Sequence, residues 1–253
     1  MNLYVSTSVY ALGHELGMVG ALKEMQRQLA SPDKLSLPVV RTIHRLRQLA
    51  NIQLGFDCGG TVLGMVRSRA FHEAFQSKCD AWISIDDDIE VTTQTAASML
   101  EVLDDVAPRV VITPYAARVP DSVNTRLCVE IPKYRIERNW RGAKLVRLEK
   151  GRGGGFGFVG MNRHAMREIV KTSCGYRTTN TGEQISEYKN SQLRWVDVDG
   201  TEKLALFHEI LEDGLWYAED MAFFRRVPSS VSVEALLVGT VNHAGVPLNL
   251  ESL

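Results

Sequence analysis

Three adjacent carboxylates, Asp86-Asp87-Asp88, close the apolar run Ala81-Trp82-Ile83-Ser84-Ile85. At that spacing they repel one another, and folding alone gives no reason to gather them at the end of a strand. A divalent cation would relieve the repulsion, and hard oxygen donors suit Mg2+ or Mn2+. The competing explanation is an acidic turn that offsets the dipole of the helix after it. An EF-hand loop is excluded, because its sixth position would be Val91 rather than Gly and its twelfth Ala97 rather than Glu. In an open α/β sheet, ligands bind beyond the carboxyl ends of the strands, which is where this cluster falls.

Two later elements could work with it. Glu219 and Asp220 open a predicted helix whose apolar stripe includes Phe223 and Phe224. A carboxylate there either compensates the helix dipole or serves as a general base. His243 follows in Val241-Asn242-His243-Ala244-Gly245, as a core histidine or as a metal ligand. A fourth segment, Gly155-Phe156-Gly157-Phe158-Val159-Gly160, matches G-x-G-x-x-G. A dinucleotide fingerprint also needs an apolar strand before it and an acidic residue about 20 residues later. Here Arg147-Leu148-Glu149-Lys150-Gly151-Arg152 precedes it and a polar loop follows, so the glycines are better read as letting a ligand approach the backbone closely.

Taken in order, these elements resemble a glycosyltransferase of the GT-A fold, similar to the family-2-type group. The resemblance implies that Asp86-Asp87-Asp88 is a D-x-D element. Asp88 would then ligate the metal, and Asp86 and Asp87 would lie on the nucleotide-sugar side. Glu219 to Arg226 resembles an E-D-x-x-F-x-x-R segment, with Phe223 and Arg226 at the matching positions. That makes Asp220 the catalytic base, with Glu219 beside the acceptor, and His243 would complete the metal shell. Tyr4 to Tyr10 resembles the first strand of the nucleotide pocket, which assigns Thr7 to the donor. Val66-Arg67-Ser68-Arg69 resembles a V-x-x-A-R-N-type helix start, with Ser68 where Ala is common and Ala70 where Asn is common. Arg69 is the donor-binding residue that this match implies. Gly154 and Gly155 resemble a G-G-x-G-F segment on the acceptor side. The implied activity is Mn2+- or Mg2+-dependent transfer from a nucleoside-diphosphate sugar, UDP-sugars favoured. A single base opposite the leaving group implies inversion. Two rivals remain: a non-catalytic nucleotide-sugar or nucleic-acid binding protein, and a nucleotidyltransferase, which would release pyrophosphate.

The elements that must position these residues alternate in the first half. Strands are predicted at 3–5, 52–56, 81–85 and 109–112, and helices at about 12–29, 39–50, 62–75 and 93–103, with Ser31-Pro32-Asp33 a break and Asp57-Cys58-Gly59-Gly60 a turn. Such alternation predicts an α/β fold with a mostly parallel, mixed sheet covered on both faces. The second half is less regular. Strands are expected near 127–131, 143–148, 155–160, 204–208 and 231–238, helices near 162–171 and 217–226, and a loop over 178–192. One domain over 1–253 follows, with a nucleotide-sugar half at 1–115 and an acceptor and catalytic half at 116–253.

Composition bounds the rest. The 253 residues are 45% hydrophobic and 23% charged with a net charge of −1, so neither a disordered chain nor a globally basic coat fits. Lys133 to Arg152 nevertheless carries eight basic residues against Glu137 and Glu149, a local +6, with Tyr134 and Trp140 interleaved. Either this is a solvated hairpin, or it is an acceptor-side face with Trp140 for an anionic acceptor such as DNA with hydroxylated bases. Arg41, Arg45 and Arg47 could extend that face. A glycan or small-molecule acceptor stays open, as does the oligomeric state. Four cysteines without a C-x-x-C pair argue against a disulfide scaffold or structural zinc. With no basic, apolar leader and no apolar run of about 18 residues, the expected address is the cytoplasm, without membrane contact.

Overall fold

The structure, a computed structural model, describes residues 1–9, 38–58, 63–116, 127–129, 131, 137–140, 142–174, 176–178, 184–186, 194–196, 200, 202–243 and 246–253. The helix expected at 12–29, the break after it, Gly59-Gly60 and most of the 178–192 segment lie outside these residues. Five helices are described: α1 (Pro38–Leu49), α2 (Leu63–Ser77), α3 (Thr93–Leu103), α4 (Arg163–Cys174) and α5 (Glu219–Arg226). The strands of the first half are β1 (Asn2–Val9), β2 (Asn51–Cys58), β3 (Ala81–Asp86), β4 (Ile89–Val91) and β5 (Arg109–Ile112). Then come β6 (Glu137–Trp140), β7 (Ala143–Arg147), β8 (Phe158–Asn162), β9 (Tyr176–Thr178), β10 (Gln184–Ser186), β11 (Arg194–Val196) and β12 (Glu202–Leu204). The last five are β13 (Ile210–Glu212), β14 (Leu215–Tyr217), β15 (Ser232–Leu236), β16 (Thr240–His243) and β17 (Val246–Asn249).

Eight strands form the main sheet in the order β2-β1-β3-β8-β5-β15-β7-β6, so strands from the two halves of the chain interleave. The sheet is mixed rather than mostly parallel. The pairs β1–β2, β1–β3 and β5–β15 are parallel; β3–β8, β5–β8, β15–β7 and β6–β7 are antiparallel. Pattern could not show this, because a strand buried on both faces reads as an apolar run in either direction.

Alternate residues of each strand feed two cores, as the period-2 pleat requires. Leu3, Val5, Ile83 and Ile85 join α1 and α3 on one face of the sheet. Tyr4, Trp82, Val110 and Ile112 join α2, α4 and α5 on the other. The result is an α/β/α sandwich. A small sheet, β17-β16-β4, stands beside it and carries the turn after β3.

Candidate active site

Asp86 is the last residue of β3, and Asp87-Asp88 is the tight turn into β4. Two elements fix that turn. From α1, Thr42 donates to the Ile89 carbonyl at 3.2 Å and accepts from the Val91 amide at 3.1 Å, while Arg41 and Arg45 pair with Glu90 at 3.2 and 2.9 Å. From the other side, β16 pairs antiparallel with β4 and sets His243 opposite Ile89. This register brings His243 Nε2 to 3.4 Å from the Asp88 carboxylate, although 155 residues separate them in the chain. The ring is oriented by its other nitrogen, 2.6 Å from the Ala116 carbonyl, and by Tyr115, which meets it edge-on with centroids 4.7 Å apart. Nδ1 must therefore carry a hydrogen. A proton or a metal ion on Nε2 makes the contact with Asp88 attractive.

The second half of the site is organised by a residue that the sequence reading passed over. Arg67, on α2, has a side chain only 4% exposed. Its guanidinium meets Asp86 at 3.1 Å, Glu219 at 3.1 Å and Asp220 in a short ion pair, with the Phe156 ring 5.4 Å away. A signal was present: Arg67 shares its buried face with Phe71 and Ala74, at i, i+4 and i+7. A cation on an apolar stripe needs a buried partner, because an unpaired buried charge is expensive.

Helix α5 presents Glu219 and Asp220 in its first turn because its other side is anchored in aromatic packing. Phe223 stacks on Phe207 at 4.6 Å, and Phe156 meets both rings edge-on at 5.2 and 4.9 Å. Arg226 closes the segment before it, donating to the carbonyls of Leu206 and His208 at 2.7 Å each and to His208 Nε2 at 2.8 Å. Burial lowers the Arg226 guanidinium to about 10. Burial also lowers His208, whose Nδ1 donates to the Ala205 carbonyl at 2.6 Å. The glycine-rich loop joins the two halves of the site. The Asp86 amide donates to the Gly157 carbonyl at 2.9 Å, and the Phe156 amide donates to Asp220 Oδ2 at 3.3 Å.

Other expected residues fall in different places. Thr7, at the carboxyl end of β1 in register with Ile85, is 4% exposed, and its hydroxyl has no hydrogen-bond partner among the described residues. Asp87 is half-buried on the turn. Arg69 lies about 200° around α2 from Arg67 and is half-buried. The glycines at 153–155 allow close packing within the protein: a Cβ at Gly153 would enter the Phe224 ring, at Gly154 Val129 and the Cys128 carbonyl, and at Gly155 the Tyr115 hydroxyl. Burial raises the Tyr115 phenol and the neighbouring Cys128 thiol, the latter to about 11.

Trp140 is not beside the site. It ends β6, five strands from β3 in the sheet order, or roughly 24 Å at the usual strand spacing. There the guanidinium groups of Arg109 and Arg138 stand over its ring, at 4.9 and 4.7 Å. Both arginines pair with Glu234, Arg138 at 3.4 Å. Of the remaining basic residues in the +6 segment, Lys133, Arg135 and Arg141 lie outside the described residues. Arg41 and Arg45 both pair with Glu90.

Four carboxylates (Asp86, Glu219 and Asp220 on Arg67, and Asp88 on His243) thus meet one buried guanidinium and one imidazole, with Asp87 on the turn between Asp86 and Asp88. That excess of negative charge suits a cation. Among the described residues no group of three or more His, Cys, Asp or Glu side chains forms a metal cluster, so the protein offers the pair Asp88–His243. Such a sparse donor set fits Mg2+ or Mn2+, which are commonly held by one or two carboxylates together with substrate phosphates. The His243 Nδ1–carbonyl bond is the kind of contact that orients a metal-bound imidazole.

Among the described residues, no helix is long and apolar enough to cross a membrane. No protein-family model matches the chain, and no curated protein matches it. Among solved structures it is similar to the crystal structure of A197 from STIV, at 12% identity and a TM-score of 0.40, over 81% of this chain and 94% of that one. A likeness that low assigns no family, and the functional reading rests on the residues of the site itself.

Proposed function

We propose that the protein is a metal-dependent glycosyltransferase of the GT-A type, using a nucleoside-diphosphate sugar and inverting the anomeric carbon. The observation that carries this reading is the meeting of Asp86, Glu219 and Asp220 on Arg67, beside the Asp88–His243 pair, at the carboxyl end of β3. Asp88 and His243 hold the Mn2+ or Mg2+ ion, which when bound offsets charge on the departing diphosphate. Thr7 and Asp86, with Asp87 and Arg69 around them, form the donor side, and UDP-sugars are the favoured donors.

Asp220 is the general base. One of its oxygens is tied to Arg67 and the other accepts the Phe156 amide, so its direction is fixed from two sides. A carboxylate has about four lone-pair sites, which leaves room for the acceptor hydroxyl. Its side chain is 19% exposed, which leaves it open to an acceptor. Arg67 is a positioning residue that locks the donor-side Asp86 to the acceptor-side Asp220. Glu219, on the same guanidinium, borders the acceptor.

The test is thermal stabilisation by a panel of nucleotide-sugars, each with and without Mn2+. A raised melting temperature that requires both sugar nucleotide and metal supports the reading. Equal stabilisation with and without the metal for every donor contradicts it.

A further inference from the structure

The segment just before the candidate base forms a device of its own. Strands β13 and β14 pair as a hairpin, with Ile210 opposite Tyr217, Leu211 opposite Trp216 and Glu212 opposite Leu215. The two-residue loop is Asp213-Gly214, with φ of +52° and +76°. Positive φ at both positions is what a type I′ turn requires, and Asp-Gly supplies it. Cross-strand partners share a face, so Glu212 and Tyr217 lie on one side of the ribbon, and Leu211 and Trp216 on the other. The first side is fastened to α5: Arg225 donates to Glu212 at 2.7 Å, and its guanidinium stacks 4.1 Å over the Tyr217 ring. The second side is bare, with Leu211 67% and Trp216 65% exposed.

We propose that the Leu211–Trp216 face is a stacking platform for a neutral carbohydrate acceptor, a reading that rests on the glycosyltransferase assignment and names its acceptor class. Three observations single out this occupant. Trp216 is four residues from Asp220, so covalent geometry keeps their Cα atoms within about 14 Å. The platform therefore stands near the base, and the Arg225 clamp holds it there. The stretch 209–220 contains Glu209, Glu212, Asp213, Glu219 and Asp220 and no Lys or Arg. Glu212 is already paired with Arg225, and Glu219 and Asp220 with Arg67. The stretch nevertheless offers no Lys or Arg to a phosphate, whereas its carboxylates can accept hydrogen bonds from sugar hydroxyls. Finally, two side chains can cover roughly 300–400 Å2 at most, well short of the roughly 800 Å2 per partner of a stable protein interface. That area suits one or two sugar rings, whose axial C–H groups carry the partial positive charge that the indole face attracts.

The experiment is a donor-free calorimetric titration of the full chain with maltohexaose, cellohexaose and mannohexaose, with duplex DNA in parallel. At least one saccharide should bind, Trp216→Ala should weaken it about tenfold, and Trp216→Tyr should stay within about threefold because the ring face is kept. The exposed position spares the fold in both variants. Absence of saccharide binding, binding unchanged in Trp216→Ala, or DNA binding that Trp216→Ala abolishes would overturn the platform. So would a sedimentation-detected dimer lost in the same variant. Since no donor is present, the outcome is separate from turnover: Trp216-dependent saccharide binding by a chain that cleaves no donor sinks the transferase and supports the platform.

Discussion

At the scale of single residues, the site turns on Arg67, which balances three carboxylates from two distant parts of the chain. Removing one partner of a buried ionic network leaves uncompensated charge, which costs about 3–5 kcal/mol. Arg67→Met, close in length but uncharged, should therefore lower the unfolding free energy by about that amount in a urea titration. Asp220→Asn keeps the side chain's shape but leaves one acceptor oxygen for two donors, Arg67 and the Phe156 amide, so some stability is lost. Donor affinity, which other residues supply, should stay nearly intact. Turnover should fall by about 10²–10⁴-fold, the usual worth of a general base, in an initial-rate assay at saturating donor. Loss of donor binding with unchanged turnover would instead make Asp220 a positioning residue. The carboxylates stood out in the sequence because charge at the end of an apolar strand, or at the start of a helix, breaks the surrounding pattern. His243 stood out only by its place after them in the order that the glycosyltransferase resemblance implies. Arg67 was harder to read. A lone arginine on a helix ordinarily sends its head group to solvent, and only its place on the stripe with Phe71 and Ala74 separates it from Arg69.

Among elements, α3 and β5 lie where their periodicity predicts, and α1 and α2 begin and end within two residues of expectation. These segments have strong apolar patterns bounded by Pro, Gly or polar clusters. The direction of β8 was not legible, since Val159, Gly160 and Met161 are buried on both faces and pattern carries no polarity. The β13–β14 hairpin was missed although Asp213-Gly214 announces it, because its strands are only three residues long and expose Leu211, Leu215 and Trp216. The segment that leads into this hairpin supplies a pH test. His208 is held neutral between the Ala205 carbonyl and Arg226, and burial depresses its folded-state value below the ordinary 6.5. Between that depressed value and 6.5 the unfolded chain binds more protons, so stability rises with pH. Its contribution is complete above about 6.5 and declines as the pH falls toward the folded value. Urea midpoints measured from pH 7.5 down to 5 should fall, and His208→Gln should show a smaller fall. An identical pH profile in the variant would remove His208 as the cause.

For the whole molecule, a net charge of −1 conceals a strong division. Carboxylates crowd the end of β3 and the start of α5, while Arg138, Lys144 and Arg147 lie on β6 and β7 at the far edge of the sheet, and Lys150 and Arg152 follow in the loop after β7. The order of the acidic elements along the chain could be read directly. Their meeting depends on strand order and on the β4–β16 register, which no local pattern encodes, and the same strand order carries Trp140 away from the site. Under the proposed function the carboxylates at the end of β3 would hold a cation, and metal dependence is the part of that proposal most exposed to experiment. The most direct measurement is product release from nucleotide-sugars incubated with the protein and Mn2+, assayed for nucleoside diphosphate and for pyrophosphate. The account predicts release of nucleoside diphosphate that stops on chelation and falls at least about 10²-fold in Asp88→Asn. Release that ignores the metal or survives Asp88→Asn, pyrophosphate in place of nucleoside diphosphate, or no release from any donor would contradict it.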